Sequence, residues 1–275
     1  MKKSFANLEP PVLAAVIKEK TKENAINAIH KAEANGAMAF DLHLSCLENK
    51  YRTTECIRQI VDCTDKPMLG LNYNLDIDTG SYESTEEERV GLLMLAAKAG
   101  IAAVDLQSYT FDLASKTNYA GDADEIFTKG NPNEVVTDKK IIAKQKALID
   151  ELHSMGVEVL LSCHPRIHMN TEQVIALAKY MENRNPDIIK IVTLAENEEQ
   201  AAEAFSTMVE LKKAITDRKI HFHCAGQAGK ITRVVNAMLG TYLAFCVDEY
   251  TKGQDREQLF LKDFADAYGK ISKMI

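Results

Sequence analysis

The strongest constraint on this chain is an alternation: a short apolar run, a turn, an amphipathic stretch and then another apolar run, carried through eight times in 275 residues. Val12 to Ile17 is the first run. Thr21 then caps a pattern in which Ala25, Ile26, Ile29 and Ala32 recur at helical spacing, until Asn35-Gly36 stops it. The same reading predicts further strands at 37–44, 68–73, 101–106, 157–162, 187–193, 219–224 and 241–247. Helices are predicted at 53–63, 85–98, 138–155, 171–183, 198–215, 230–238 and 256–267. Eight strand–helix pairs in roughly 250 residues is the arithmetic of an α/β fold of the (β/α)8 TIM-barrel type, read here as one domain over 1–275. A doubly wound open sheet is the alternative. It ranks below the barrel because the count closes at eight and no glycine-rich phosphate fingerprint follows the first strand. One connection breaks the rhythm: 107–137 is far longer than its counterparts, and Tyr109, Phe111, Tyr119 and Phe127 favour an ordered excursion over the barrel mouth.

In such a fold alternate strand residues point inward, and chemistry sits at the C-terminal strand ends. Polar residues recur at every second place in the predicted strands. Asp41, His43 and Ser45 share one face of the second, Asn72 and Asn74 end the third, and Asp105 and Gln107 lie together on the fourth. Glu158, Leu160, Ser162 and His164 share a face of the fifth, Ile188, Lys190 and Val192 of the sixth, and His221 and His223 of the seventh. A lysine inside Ile-Ile-Lys-Ile-Val is read as buried, and a buried lysine is a residue type that forms imines with carbonyls. His164, ending the preceding strand, would supply the proton carrier that such an amine needs. Taken singly, each residue has a plainer explanation: a lysine snorkelling from a strand end, or a satisfied interior histidine such as His221. Their convergence on one mouth favours an active site, because a packed interior tolerates so many polar groups only when they are hydrogen-bonded.

Composition narrows the partners. A 46% apolar content suffices for a core, while a net charge of −7 without a long Lys/Arg run argues against a nucleic-acid or anionic-membrane surface. A small-molecule substrate is expected, and a homodimer is left open. The six cysteines lack a CxxC pair or zinc-ligand spacing, and His43, His221, His223 and Asp41 have no local ligand spacing either. No metal and no cofactor are expected, although ligands assembled from separate strands are the rival account of the same polar face. Met1 to Phe5 has no long apolar stretch and no run approaches a membrane span, so a cytoplasmic protein is expected.

Leu161-Ser-Cys-His164, then Asp187-Ile-Ile-Lys-Ile191 about two dozen residues on, resembles the catalytic strand pair of type I 3-dehydroquinate dehydratases, the Schiff-base barrel enzymes of the shikimate pathway. Ala225-Gly-Gln-Ala-Gly-Lys-Ile-Thr-Arg233 is similar to that family's Met-Gly-x-x-Gly-x-x-Ser-Arg segment, and Gly253-Gln254 to its Pro-Gly-Gln loop. The resemblance implies that Lys190 forms an imine with the substrate ketone, that His164 moves the protons, that Arg233 binds a carboxylate and that Gln254 sits on a lid. It also marks departures. Asp41-Leu-His43 stands where the family has Glu-x-Arg, no arginine lies between Pro67 and Glu88, Gln107 stands for a glutamate and Lys252 for the lid proline. With Asp41, His43, Asn72, Asn74, Gln107, Arg233 and Gln254 as substrate contacts, the expectation is a hydro-lyase that eliminates water from 3-dehydroquinate or a related β-hydroxy ketone carboxylate. A class I aldolase, or a non-catalytic metabolite-binding barrel, would use the same residues otherwise.

Overall fold

The computed structural model describes residues 3–73, 84–112, 136–165, 167–250 and 257–274. Its strands are β1 (Val12–Ile17), β2 (Ala39–His43), β3 (Met68–Leu71), β4 (Ala103–Gln107), β5 (Glu158–Cys163), β6 (Ile188–Leu194), β7 (Lys219–Ala225), β8 (Leu243–Val247) and β9 (Leu259–Phe260). The helices among the described residues are α1 (Lys22–Ala34), α2 (Thr54–Asp62), α3 (Glu86–Lys98), α4 (Lys139–Ser154), α5 (Thr171–Glu182), α6 (Glu198–Ala214), α7 (Lys230–Met238) and α8 (Leu261–Ile271). Two compact units contain them: Met1–Asp105 with Met155–Glu158 and Leu243–Ile275, and Leu106–Ser154 with Val159–Tyr242.

In the first unit the strands run parallel in the order β4-β3-β2-β1-β8-β9. β3 reads as a continuous apolar stretch because it is buried on both faces, with Met68 and Leu69 at 1% exposure. The helix starts follow from side-chain caps. Thr21 Oγ1 accepts from Asn24 N at 3.2 Å, Thr53 Oγ1 from Cys56 N at 3.2 Å, and Thr85 with Glu88 closes a reciprocal capping box. The chain leaves α1 and α3 through Gly36 (φ 99°) and Gly100 (φ 95°), a backbone conformation that costs glycine little.

In the second unit β5, β6 and β7 are parallel neighbours, and α5 opens on a capping box formed by Asn170 and Gln173. A buried polar bracket supports this unit. Gln145 Nε2 donates to the carbonyls of Ser108 (2.9 Å) and Thr110 (2.8 Å), while its Oε1 accepts from Arg184 Nε at 2.7 Å. Arg184 also donates to the carbonyls of Tyr180 and Val136 at 2.9 and 2.8 Å. Gln145 and Arg184 are 0% and 1% exposed, so these bonds replace the water that both side chains lose on folding.

Three details differ from the sequence reading. β2 ends at His43 and Leu44–Cys46 turns into a 3-10 segment, so Ser45 leaves the alternation; its carbonyl instead accepts from Arg52 at 2.6 Å. The last helix begins at Leu261 rather than Arg256, because Leu259–Phe260 first pairs with β8 as a short ninth strand. Glu158 takes no part in a binding face within its unit. Its carboxylate accepts from Ser4 Oγ and from the amides of Phe5 and Ala6, both at 3.2 Å, and so ties down the N-terminal segment. Most of the long connection after β4 (113–135), with Asn74, Lys252 and Gln254, lies outside the described residues.

Candidate active site

The second unit holds Lys190 and His164, the residues expected from the sequence to form and serve an imine. Register fixes their faces: Ser162 is the partner of Lys190, and Lys190 of His221, so in a parallel sheet the three side chains stand in one row on one face. Val192 and His223 form the next row towards the C-terminal ends. Lys190 is 6% exposed and lies between Ile189 and Ile191, at 0% and 1%, which point to the opposite face. His164 follows β5 directly and is half-buried, and Arg233 is half-buried in the first turns of α7.

The helix carrying Arg233 is set by the Ala225–Gly229 turn. Gly226 sits at φ +89°, and a Cβ at Gly229 would fall 2.2 Å from the Ala225 carbonyl oxygen, so no larger residue fits this turn. Thr232 Oγ1 accepts from Cys224 N at 2.8 Å and reaches the Gly229 carbonyl at 2.6 Å, locking the helix start onto the end of β7. Cys224 is buried there, its thiol pushed up to about 11 by desolvation, and it is held as a neutral group against Thr193 Oγ1 at 3.2 Å.

His223 reports the electrostatics of the row. Its Nδ1 lies 2.9 Å from His221 Nε2, and both rings are 3% exposed. Burial holds its pKa well below the usual imidazole value, and the charges of Arg233, His221, Lys190 and His164 act in the same direction. Four basic side chains therefore lie close enough to act on one buried ring. Such a concentration of positive potential suits an anionic ligand.

In the first unit, β2 presents Asp41 and His43, with Oδ2 and Nε2 3.3 Å apart and Asp41 3% exposed. Asp41 Oδ1 is buried and has no hydrogen-bond partner among the described residues. His43, Leu71 and Asp105 stand in one row, and Tyr73 meets the His43 ring edge-on at a centroid distance of 6.5 Å. Asn72, expected as a substrate contact, donates its Nδ2 to the Arg89 carbonyl at 3.0 Å, and its Oδ1 is buried with no hydrogen-bond partner among the described residues. Arg89 was not singled out from the sequence. Its guanidinium, 0% exposed, donates to the Asn72 carbonyl at 3.1 Å and grips both oxygens of Glu86 at 2.7 Å. The sequence signal was available as Glu86-x-x-Arg89 opening a helix, the spacing of an i,i+3 ion pair.

Of the expected site residues, Lys190, His164, Gln107 and Arg233 thus belong to the second unit, and Asp41, His43 and Asn72 to the first. Among the described residues, no three His, Cys, Asp or Glu side chains are grouped to hold a metal ion, and no helix is long and apolar enough to cross a membrane.

A profile of the type I 3-dehydroquinase family matches residues 13–274. The chain belongs to the type I 3-dehydroquinase family. It is 22% identical over 263 residues to a 3-dehydroquinate dehydratase of Dehalococcoides mccartyi, an alignment that covers 96% of each chain. Among solved structures it is similar to a type I 3-dehydroquinate dehydratase of Clostridium difficile with covalently modified comenic acid, at TM-score 0.75 and 15% identity over 100% of both chains. The Enterococcus faecalis 3-dehydroquinate dehydratase gives TM-score 0.71 at 15% identity, covering 98% and 99%. The fold is therefore the (β/α)8 barrel of the type I dehydroquinases, as the alternation of strands and helices predicts. Family membership makes the chain a hydro-lyase of the Schiff-base-forming class.

Proposed function

We propose that Lys190 is the imine-forming residue, that His164 carries the protons and that Arg233 binds the substrate carboxylate. The observation that carries this reading is the row Ser162, Lys190, His221, whose lysine shares a buried basic environment with His164 and Arg233. In the first step the Lys190 amine adds to the ketone and water leaves, giving an iminium. His164 then takes a proton from the adjacent carbon, and the electron pair moves into the iminium to form an enamine. The enamine returns that pair as the β-hydroxyl departs, protonated by His164, and hydrolysis of the conjugated imine frees the enone and Lys190.

The substrate of this reading is a β-hydroxy ketone with one carboxylate, related to 3-dehydroquinate. Support comes from the sequence, where Asp41-Leu-His43 stands in place of the family's Glu-x-Arg and no arginine lies between Pro67 and Glu88. We also place the protein in the cytoplasm, in keeping with six cysteines that are all free thiols. The test is to follow enone absorbance with a panel of β-hydroxy ketone carboxylates that includes 3-dehydroquinate. Dehydration of one of them by the wild type, lost in Lys190→Ala, supports the reading; undiminished dehydration by that variant contradicts it.

A further inference from the structure

The resemblance gives roles to Lys190, His164 and Arg233 but none to the histidine pair of β7. That pair is a costly feature: two imidazoles at 3% exposure, linked at 2.9 Å, occupy places beside the lysine that an apolar side chain would fill without needing any partner. His221 stands in the same row as Lys190, and His223 stands one row nearer the strand ends, beside Val192. With Nδ1 committed to His221, the nitrogen that His223 can offer a ligand is Nε2. The ring is kept uncharged by its burial and by the basic groups around it.

A neutral imidazole among cations divides the labour of recognition. The carboxylate of a substrate goes to the guanidinium, where the hydrogen bonds are charge-assisted. An uncharged ring is suited instead to a hydroxyl, which can donate or accept and so matches whichever tautomer the pair adopts.

We propose that His223, oriented by His221, is a specificity-determining residue that hydrogen-bonds an uncharged hydroxyl of the substrate held on Lys190. This rests on the imine reading above, so the experiment separates the two. Wild type, His223→Phe and His223→Gln are each reduced with borohydride in the presence of 2-oxobutanoate or 4-hydroxy-2-oxobutanoate. These keto acids share one carboxylate and differ by one hydroxyl. The concentration giving half-maximal labelling of Lys190 is read by peptide mass spectrometry.

His223→Phe is expected to raise that concentration about 10- to 100-fold for the hydroxylated acid, the cost of one lost hydrogen bond in a buried site, and less than about threefold for 2-oxobutanoate. His223→Gln, which keeps a polar atom near the Nε2 position, is expected to recover most of the loss. His221→Leu should show the same hydroxyl-selective pattern to a smaller degree, and His221→Gln should restore it, as befits a positioning residue. Equal losses for both acids, or none for either, would overturn the proposal while leaving the imine intact. A wild type labelled at Lys190 by neither acid would overturn the imine reading itself, and this proposal with it.

Discussion

The two units present contrasting polar faces. On β5, β6 and β7 the face is basic, with Lys190 in line with His221, and Arg233 and His164 acting on His223. On β2 and β4 it is acidic, with Asp41 beside His43 and with Asp105 in the His43 row. The buried arginine of that unit, Arg89, is held by both oxygens of Glu86. The segments Leu161–His164, Asp187–Ile191 and Ala225–Arg233, which resemble the type I dehydroquinases, lie in the unit with the basic face, and Asp41-Leu-His43, which departs from them, lies in the other. The difference teaches that the segments most like the family and the segments that depart from it sit on separate stretches of sequence, so one set can change without the other.

The largest expected effect breaks the comparison on its basic side. Lys190→Ala should lower turnover of a β-hydroxy ketone carboxylate roughly 10⁴-fold or more, since among the described residues no second lysine stands in its row. In a stopped assay, His164→Ala should slow turnover by roughly two to four orders of magnitude, the range for a positioned proton carrier. Unchanged turnover in that variant would move the role to another histidine.

The acidic side is sharpened by a substrate comparison. Two charge-assisted bonds lost with the family's arginines, at about 1.5–3 kcal/mol each, predict an efficiency on 3-dehydroquinate below ~10⁴ M⁻¹s⁻¹. Steady-state kinetics at or above that figure would show that Asp41 and His43 serve the family substrate after all.

Smaller effects concern stability. Arg184→Met strands the Gln145 oxygen and takes one donor each from the Val136 and Tyr180 carbonyls, and should cost about 3 kcal/mol, read as a lower urea midpoint at unchanged slope. His223 gives the smallest. Its folded pKa lies below the ordinary 6.5, so as pH falls through that value the unfolded chain binds a proton that the folded chain refuses, and stability is lost. His223→Phe should lessen this loss, so that its urea midpoint falls less steeply than the wild type's as pH drops below about 6.5. Urea midpoints that follow pH identically in both proteins would contradict the assignment.

Much of this was legible in the sequence, and for definite reasons. The period of the apolar runs placed all eight principal strands, and Thr21 announced the start of α1 through the cap it forms, while Thr53 and Thr85, read as the first residues of their helices, stand one place earlier as caps. The shared face of Lys190 and His221 followed from alternation, because register locks both to one side of the sheet. Ser45 was misplaced because alternation holds only while the strand lasts, and β2 turns after His43. The short β9 was missed because two residues carry too little pattern to show a period. Partnerships across long separations, such as Gln145 with Arg184 or Glu158 with Ser4, leave no local spacing to read. The His221–His223 bond was half legible: i and i+2 give the shared face, and only the packed rings give the 2.9 Å contact.

The central claim is that one lysine on the basic face makes the covalent bond. Its most direct test is to incubate the protein with a ketone carboxylate, reduce with borohydride and locate the added mass by peptide sequencing. The account predicts a single adduct on Lys190, absent from the Lys190→Ala protein. An adduct on another lysine, or activity without any adduct, would contradict it.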